Sequence, residues 1–343
     1  CIRDREYPEH FICLTFFSPS GYEIRKNEPL ADLVCYLPLD GPVNAIRFTK
    51  TLRPAIAFFV KYDFWHFLIR SYHRKKVPVL FISSKFRKGQ LFFKWYGAFY
   101  KRILKRADHF FVQDQTSLEI LYNNAIAHVT VSGDTRFDRV HENAVSAQSF
   151  PLIENFLKGS KALIAGSTWP ADERLLADLF KDLDPGWKMV IAPHEINRAH
   201  IDDLTNSFHN TITFSELAEQ HSGKQVLIID NIGMLSSLYK YADIAYIGGG
   251  FGNGIHNTLE AATFGVPVVF GPRYNKFREA VDLTASGGAF PIRNLNELRK
   301  AINDLIKDEK SRSDAGKISK DYVENNRGAT QIIMEYVKLN FEL

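Results

Sequence analysis

Five glycines fall within seven residues, Gly248, Gly249, Gly250, Gly252 and Gly254, and lead straight into IHNTLEAATFGVPVVFGP. Glycine permits positive φ and lets main chain approach a ligand closely. A helix opening near Asn257 would turn free N–H groups and the positive end of its dipole toward an anion. Loop and helix together suit a phosphate. The dinucleotide fingerprint is a different pattern: here the glycine spacing is wrong, the loop lies far from the N-terminus, and no acidic residue follows at the required distance. NTLE (257–260) also reads as a capping box, with Asn257 as N-cap and Glu260 at N3. Capping alone accounts for those two residues but needs no glycine run ahead of them, so the loop is expected to bind a ligand.

Three further places carry chemistry. Arg136, in GDTRFD, follows an expected strand and could pair with Asp134 or Asp138. Lys61 stands in FFVKYDFW, the one cation of that stretch. SPSG (18–21) offers hydroxyls and a turn, and with Lys85, Arg87 and Lys88 could meet phosphates; a solvated loop is the plain alternative. The three cysteines, Cys1, Cys13 and Cys35, match no metal spacing and no disulfide framework, and read as reduced thiols of a cytosolic protein.

These residues need a scaffold. The chain has 343 residues, long for one domain and comfortable for two, and at 45% hydrophobic and 24% charged it is globular. Expected strands are Phe11–Phe17, Leu33–Leu37, Ala55–Val60, Val77–Ile82, His109–Val112, Val129–Ser132, Ala162–Ala165, Lys188–Ala192, Val226–Ile229, Ile244–Ile247 and Val266–Phe270. Most are continuous apolar runs rather than alternating ones, the pattern of strands covered by helices on both faces. Strand and helix alternate throughout, which predicts an α/β protein with doubly wound parallel sheets. The polar run 141–161 separates two such series. The expected domains are 1–149, 150–320 and a C-terminal helix over 321–343. Two such sheets would face a central cleft, with ligands outside the carboxyl ends of the strands.

The formal charge is +4, unevenly spread: Phe64 to Ala107 holds twelve Lys or Arg and no Asp or Glu, with aromatics threaded through FRKGQLFFKWYGAFYKRILKR. A basic, aromatic helix over about 89–106 suits an anionic membrane surface or phosphorylated lipid. Nucleic acid competes less well, and an ordinary amphipathic helix remains the alternative. No apolar run approaches the roughly 20 residues of a membrane-spanning helix, and no secretory signal is expected from the given residues. IRDREYPEH reads as the end of a helix, so the given start is expected to lie within a longer protein.

In order and spacing, GGGFGNGIHNTLEAATFGVPVVFGP, LTFFSPSGYE (14–23), VSGDTRFDR (131–139), AGSTWPADE (165–173), APHE (192–195) and DNIGML (230–235) resemble the 3-deoxy-D-manno-octulosonic acid (Kdo) transferases of lipopolysaccharide synthesis. The resemblance covers essentially the whole chain. It implies a GT-B fold and an inverting transfer of Kdo from CMP-Kdo to a lipid A precursor (lipid IVA), with no cofactor and no metal in the site. By matching motifs, Pro193, His194, Ile232, Gly233, Met234, Asn257, Thr258, Leu259 and Glu260 would line the CMP site, and Ser18 and Arg87 the acceptor site. Arg136 falls where the family has a basic residue that stabilises the transition state. Lys61 departs from the family pattern: it stands where an acid assists the reaction, and as a cation it would instead grip the donor carboxylate or phosphate and stabilise the transition state, while Asp63 keeps the second acid. The family's general-base glutamate lies in a loop this sequence does not contain and is expected upstream of Cys1, with a membrane anchor. The resemblance also implies a place at the cytoplasmic face of the bacterial inner membrane. The alternative is another GT-B enzyme that uses a UDP-sugar, such as a glycolipid glycosyltransferase or a nucleotide-sugar epimerase.

Overall fold

The computed structural model describes residues 7–217 and 223–342. Cys1 and most of the segment read as a helix end lie outside them. The described chain divides into two units, one of residues up to Asp138 together with Arg327 onward, the other Arg139–Asn326.

The first unit holds two parallel sheets rather than one. β1 (Cys13–Phe16) pairs with β2 (Leu33–Tyr36). A separate four-stranded sheet runs in the order β3 (Ala57–Val60), β4 (Val79–Ser84), β5 (His109–Val112), β6 (Val129–Val131). The central strands β4 and β5 are buried almost throughout, as their unbroken apolar runs require. Phe81 stacks on Phe59 with ring centroids 5.3 Å apart and on Phe110 at 5.0 Å, a row of offset aromatic pairs across the sheet. The last helix, Ala329–Asn340, lays Ile333 and Val337 against Leu80 and Phe111. Asp138 receives the amide of Gly328 at 2.6 Å and that of Thr330 at 2.7 Å, which fixes the start of that helix. Cys13 and Cys35 are free thiols with sulfurs 3.9 Å apart on neighbouring strands.

The second unit is one seven-stranded parallel sheet. Its order is β13 (Ala289–Pro291), β12 (Val268–Phe270), β11 (Ile244–Ile247), β7 (Lys161–Thr168), β8 (Trp187–Pro193), β10 (Val226–Ile228), β9 (Thr211–Thr213). One face packs Leu176, Leu179, Ile201, Leu204, Leu298 and Ile302 from the covering helices onto Leu163, Met189 and Ile228. The two strands absent from the sequence expectation, β9 and β13, are its edges. Both are three residues long, and each carries side chains that are only partly buried.

One sequence expectation fails in the first unit. The stretch 89–106 is not one helix: it is a 3-10 turn, Leu91–Phe93, followed by a short helix, Ala98–Leu104. Between them Lys94 takes an extended conformation, and Gly97 sits so close to Leu91 that a Cβ there would lie 1.9 Å from its carbonyl oxygen. Phe86 is buried, Phe92 and Phe93 pack against the core, and Trp95 stands 92% exposed.

Candidate functional site

In the second unit every strand runs the same way, so all carboxyl ends share one edge of the sheet. β7 reaches that edge through a bulge: its register with β8 shifts between Gly166 and Thr168, and Ser167 takes a left-handed φ of 53°. Bulges of this kind re-aim the chain beside functional sites. Past the bulge, the Thr168 carbonyl accepts the His194 amide at 2.9 Å, and Trp169 opens the helix Pro170–Phe180.

Asp172 ties this corner together. Its fully buried carboxylate accepts from the Trp169 amide at 3.0 Å, the Gly249 amide at 2.9 Å and the Tyr246 hydroxyl at 2.8 Å. One side chain thus joins a helix start, a central strand and the glycine loop. Charge-assisted bonds of this type are strong, and removing the carboxylate strands two buried donors and a partly buried one. Asp172→Ala is therefore expected to lower unfolding free energy by about 3 kcal/mol or more, measured by urea denaturation. A change under about 1 kcal/mol would show that the three donors find other partners.

Above Asp172 lies an aromatic stack. His194 sits 4.6 Å from the Trp169 ring and 4.5 Å from the His256 ring, nearly parallel to both. The Trp169 indole N–H donates to His256 Nε2 at 3.0 Å. That nitrogen must be unprotonated to accept, so the ring proton is assigned to Nδ1. Burial, then His194, holds the His256 pKa below the ordinary histidine range, in keeping with a neutral ring. Trp169, Asp172 and His256 were not singled out from sequence as site residues. The available signal was an aspartate at the third helical position after Trp-Pro, a helix-start pattern within AGSTWPADE.

The glycine loop is shaped first by the protein itself. A Cβ on Gly248 would lie 2.2 Å from the Ser167 carbonyl oxygen, and one on Gly250 would lie 2.5 Å from Gly271 Cα. The Gly252 and Gly254 amides donate to the Gly249 carbonyl at 2.9 and 3.2 Å, and the Gly248 amide to the Gly166 carbonyl at 2.9 Å. Past the loop, the amides of Asn257 and Thr258 bond to nothing among the described residues, and the buried Thr258 hydroxyl has no partner there either. A buried hydroxyl left unpaired is rare enough to call for an explanation, and with the two amides beside it Thr258 is the polar invitation the corner offers.

The expected helix after the loop is a single turn, Leu259–Ala262, with Thr258 as its N-cap. Asn257 Oδ1 accepts the Leu259 amide at 3.2 Å, and its Nδ2 donates to Glu260 Oε1 at 3.0 Å. The capping box read from NTLE is thus replaced by a side-chain pair, because the chain enters the turn one residue later. A four-residue turn sums few peptide dipoles, so local amides rather than a macrodipole would hold an anion here.

Pro193 ends β8 and His194 follows it, and Ile232, Gly233 and Met234 follow β10. Asn257, Thr258, Leu259 and Glu260 follow β11, so the sheet brings all nine expected donor residues to its carboxyl edge. Gly233 has φ 94° with open space where a Cβ would stand, Ile232 is 85% exposed, and Met234 is buried.

In the first unit, Arg136 lies in the first turn of the helix Thr135–Val145, after β6. Its Nε donates to Asp134 Oδ2 at 2.9 Å, and its amide to Asp134 Oδ1 at 3.0 Å. Gln113 Nε2 donates both to Asp134, at 2.9 Å, and to the Ser83 carbonyl, at 3.0 Å. Ser83 is the left-handed residue of a second bulge, at φ 51° near the end of β4. Just past β3, Lys61 takes the same left-handed region at φ 57°, which a residue with a Cβ occupies only under strain. Its carbonyl accepts from Ser84 Oγ at 3.2 Å. Arg87 is an exposed side chain past β4, and Ser18, past β1, shares its hydroxyl with Ser20 at 2.7 Å. Among the described residues, no helix is long and apolar enough to cross a membrane.

Residues 3–139 match the family model of the 3-deoxy-D-manno-octulosonic-acid transferases, and residues 174–322 that of the group 1 glycosyl transferases. The chain is 28% identical to the 3-deoxy-D-manno-octulosonic acid transferase of Aquifex aeolicus, over 87% of this chain and 79% of that one. It is 25% identical to the enzyme of the same name from Rickettsia bellii, over 98% and 81%. Among solved structures, the UDP-GlcNAc 2-epimerase of Neisseria meningitidis superposes with a TM-score of 0.65 at 18% identity, covering 96% of this chain and 92% of that one. That likeness shows a GT-B-like fold.

Proposed function

We propose that this chain, a GT-B-like glycosyltransferase homologous to the Kdo transferases, moves Kdo from CMP-Kdo to a lipid A precursor such as lipid IVA, with inversion at the anomeric carbon. The observation that carries the reading is the match to enzymes named for Kdo transfer along nearly the whole chain. The acceptor hydroxyl oxygen attacks the anomeric carbon, the bond from that carbon to the phosphate oxygen breaks, and CMP leaves with the electron pair. The hydroxyl proton passes to a general base. The unbonded amides of Asn257 and Thr258 and the Thr258 hydroxyl are suited to the CMP phosphate, main chain around Gly233 to the cytosine edge, and Glu260 to the ribose hydroxyls. Arg136 is assigned the charge that develops on the leaving phosphate. The stretch 85–106, with its exposed Trp95 and its lysines, is assigned to an anionic surface at the cytoplasmic face of the inner membrane.

Titration calorimetry with CMP and UDP tests the donor, and mass spectrometry of lipid IVA incubated with CMP-Kdo tests the transfer. Preference for UDP would move the chain to the UDP-sugar enzymes of the same fold.

Glu260 adds a pH test. Burial raises its carboxyl above the ordinary 4.5, against the opposing pull of Asn257 and then Arg139. The folded state therefore favours the neutral acid: that contribution is fully present below the unfolded value and is lost as pH rises through the folded one. Glu260→Gln is expected to melt a few degrees above the wild type at pH 7.5 and level with it at pH 4, while binding CMP more weakly. An equal offset at both pH values would show that the carboxyl does not titrate in this way.

A further inference from the structure

Two helices of the first unit set four arginines together. On His66–Arg74, the residues Leu68, Ile69 and Tyr72 face the core, which leaves His66, Arg70 and Arg74, at i, i+4 and i+8, as one outward stripe. On Ala98–Leu104 the core residues are Ile103 and Leu104; Arg102 and, just past the helix end, Arg106 are again four apart. The His66 ring lies 4.6 Å from that of Phe99, which brings the two stripes side by side. None of the four guanidiniums has a hydrogen bond or ion pair among the described residues. Arg106 Nη1 and His66 Nδ1 are nonetheless buried and unpartnered. Asp40, a carboxylate within electrostatic reach of His66, accepts the amides of Phe67 and Leu68 at 3.0 and 3.1 Å. Burial, then Arg70, Arg102 and Arg74, press the Arg106 pKa below the usual guanidinium range, so the like charges act on one another.

We propose that His66, Arg70, Arg74, Arg102 and Arg106 form a binding site for a phosphate monoester. Clustered like charges repel, and partly buried ones such as Arg70 and Arg106 more strongly than the exposed Arg74 and Arg102. A dianion bound among them adds an attraction to every one of these cations that offsets their mutual repulsion. Guanidinium forks match phosphate oxygens, and a monoester presents three of them with close to two charges. A singly charged phosphodiester or carboxylate would supply about half of that attraction. The site is independent of the donor corner in the second unit and does not rest on the transferase reading. Inorganic phosphate and a lipid headgroup share the required chemistry.

The test uses the whole chain. Calorimetry with sodium phosphate at fixed ionic strength is expected to show binding that weakens about tenfold or more in Arg70→Gln/Arg106→Gln. Without phosphate, that variant should melt no lower than the wild type, because a repulsion has been removed. Arg70→Lys/Arg106→Lys keeps the charge but not the forks, and should lose most of the affinity. Flotation with vesicles of phosphatidic acid against phosphatidylglycerol, matched in surface charge, separates the sources. A preference for phosphatidic acid that the glutamine variant abolishes assigns a lipid headgroup. Phosphate binding without that preference assigns a soluble phosphate. Two results would overturn the site: no phosphate binding together with equal binding to both vesicles, or full affinity in the lysine variant.

Discussion

Arg136→Ala is expected to lower Kdo transfer about a hundred- to a thousandfold while CMP affinity stays within about twofold. The reason lies in how the guanidinium is held. Asp134, 5% exposed, fixes Arg136 through both the side-chain Nε and the backbone amide, and Gln113 fixes Asp134 in turn. A cation held in place before the reaction spends little free energy on orientation when charge develops nearby. The same Asp134 bond was the structural alternative for Arg136. The two readings differ in what the variant loses. The Arg136 side chain is 38% exposed. A purely structural pair so placed contributes at most about 1 kcal/mol after solvent screening, so alanine would melt slightly earlier and retain full turnover. Circular dichroism, CMP calorimetry and turnover on one preparation separate the cases. Unchanged turnover in folded protein removes Arg136 from the mechanism. Arg136→Lys sharpens the point: it keeps the charge, loses the Nε bond, and should recover only part of the rate.

Long buried strands were legible in sequence because nothing but a run of β-branched and aromatic residues can lie in the middle of a parallel sheet. HFFV (109–112) and IAYI (244–247) are such runs, and the structure has strands at those bounds. TIT (211–213) and AFP (289–291) were not legible, since an edge strand needs only a few residues and one buried face. The division of the first unit into a two-stranded and a four-stranded sheet is set by long-range pairing, which a local pattern does not encode. The same holds for the packing of Ile333 and Val337 on Leu80 and Phe111: sequence shows the helix, not its destination. At the candidate site, motif residues such as His194 and Asn257 stood out through their spacing and their likeness to a family. Asp172 and Trp169 did not, because a buried carboxylate that joins three elements looks, in sequence, like an ordinary helix start.

Gly248→Ala is expected to destabilise the protein by about 3 kcal/mol or more, whereas Gly252→Ala should be close to neutral in stability. A methyl at Gly248 would stand 2.2 Å from the Ser167 carbonyl oxygen and 2.6 Å from Thr168 Cα, both backbone atoms of the bulge that ends β7. Neither can rotate away, and shifting the bulge would disturb the Thr168–His194 bond and the helix that begins at Trp169. At Gly252 the nearest atom to an added Cβ is the Gly249 carbonyl oxygen, at an ordinary 3.5 Å. The pair therefore asks why the loop is glycine-rich. If the run exists to let main chain approach the ligand, Gly252→Ala should weaken CMP binding with no loss of stability. If it exists so that β7, β11 and the Gly271 turn can meet, Gly252→Ala should bind CMP as the wild type does, and only Gly248→Ala should suffer, by unfolding earlier. Urea denaturation and CMP calorimetry on both variants read the two effects separately. Contacts at Gly248 and Gly250 favour packing as the reason for those two glycines, which leaves Asn257 and Thr258, rather than the glycines themselves, as the amides available to a phosphate.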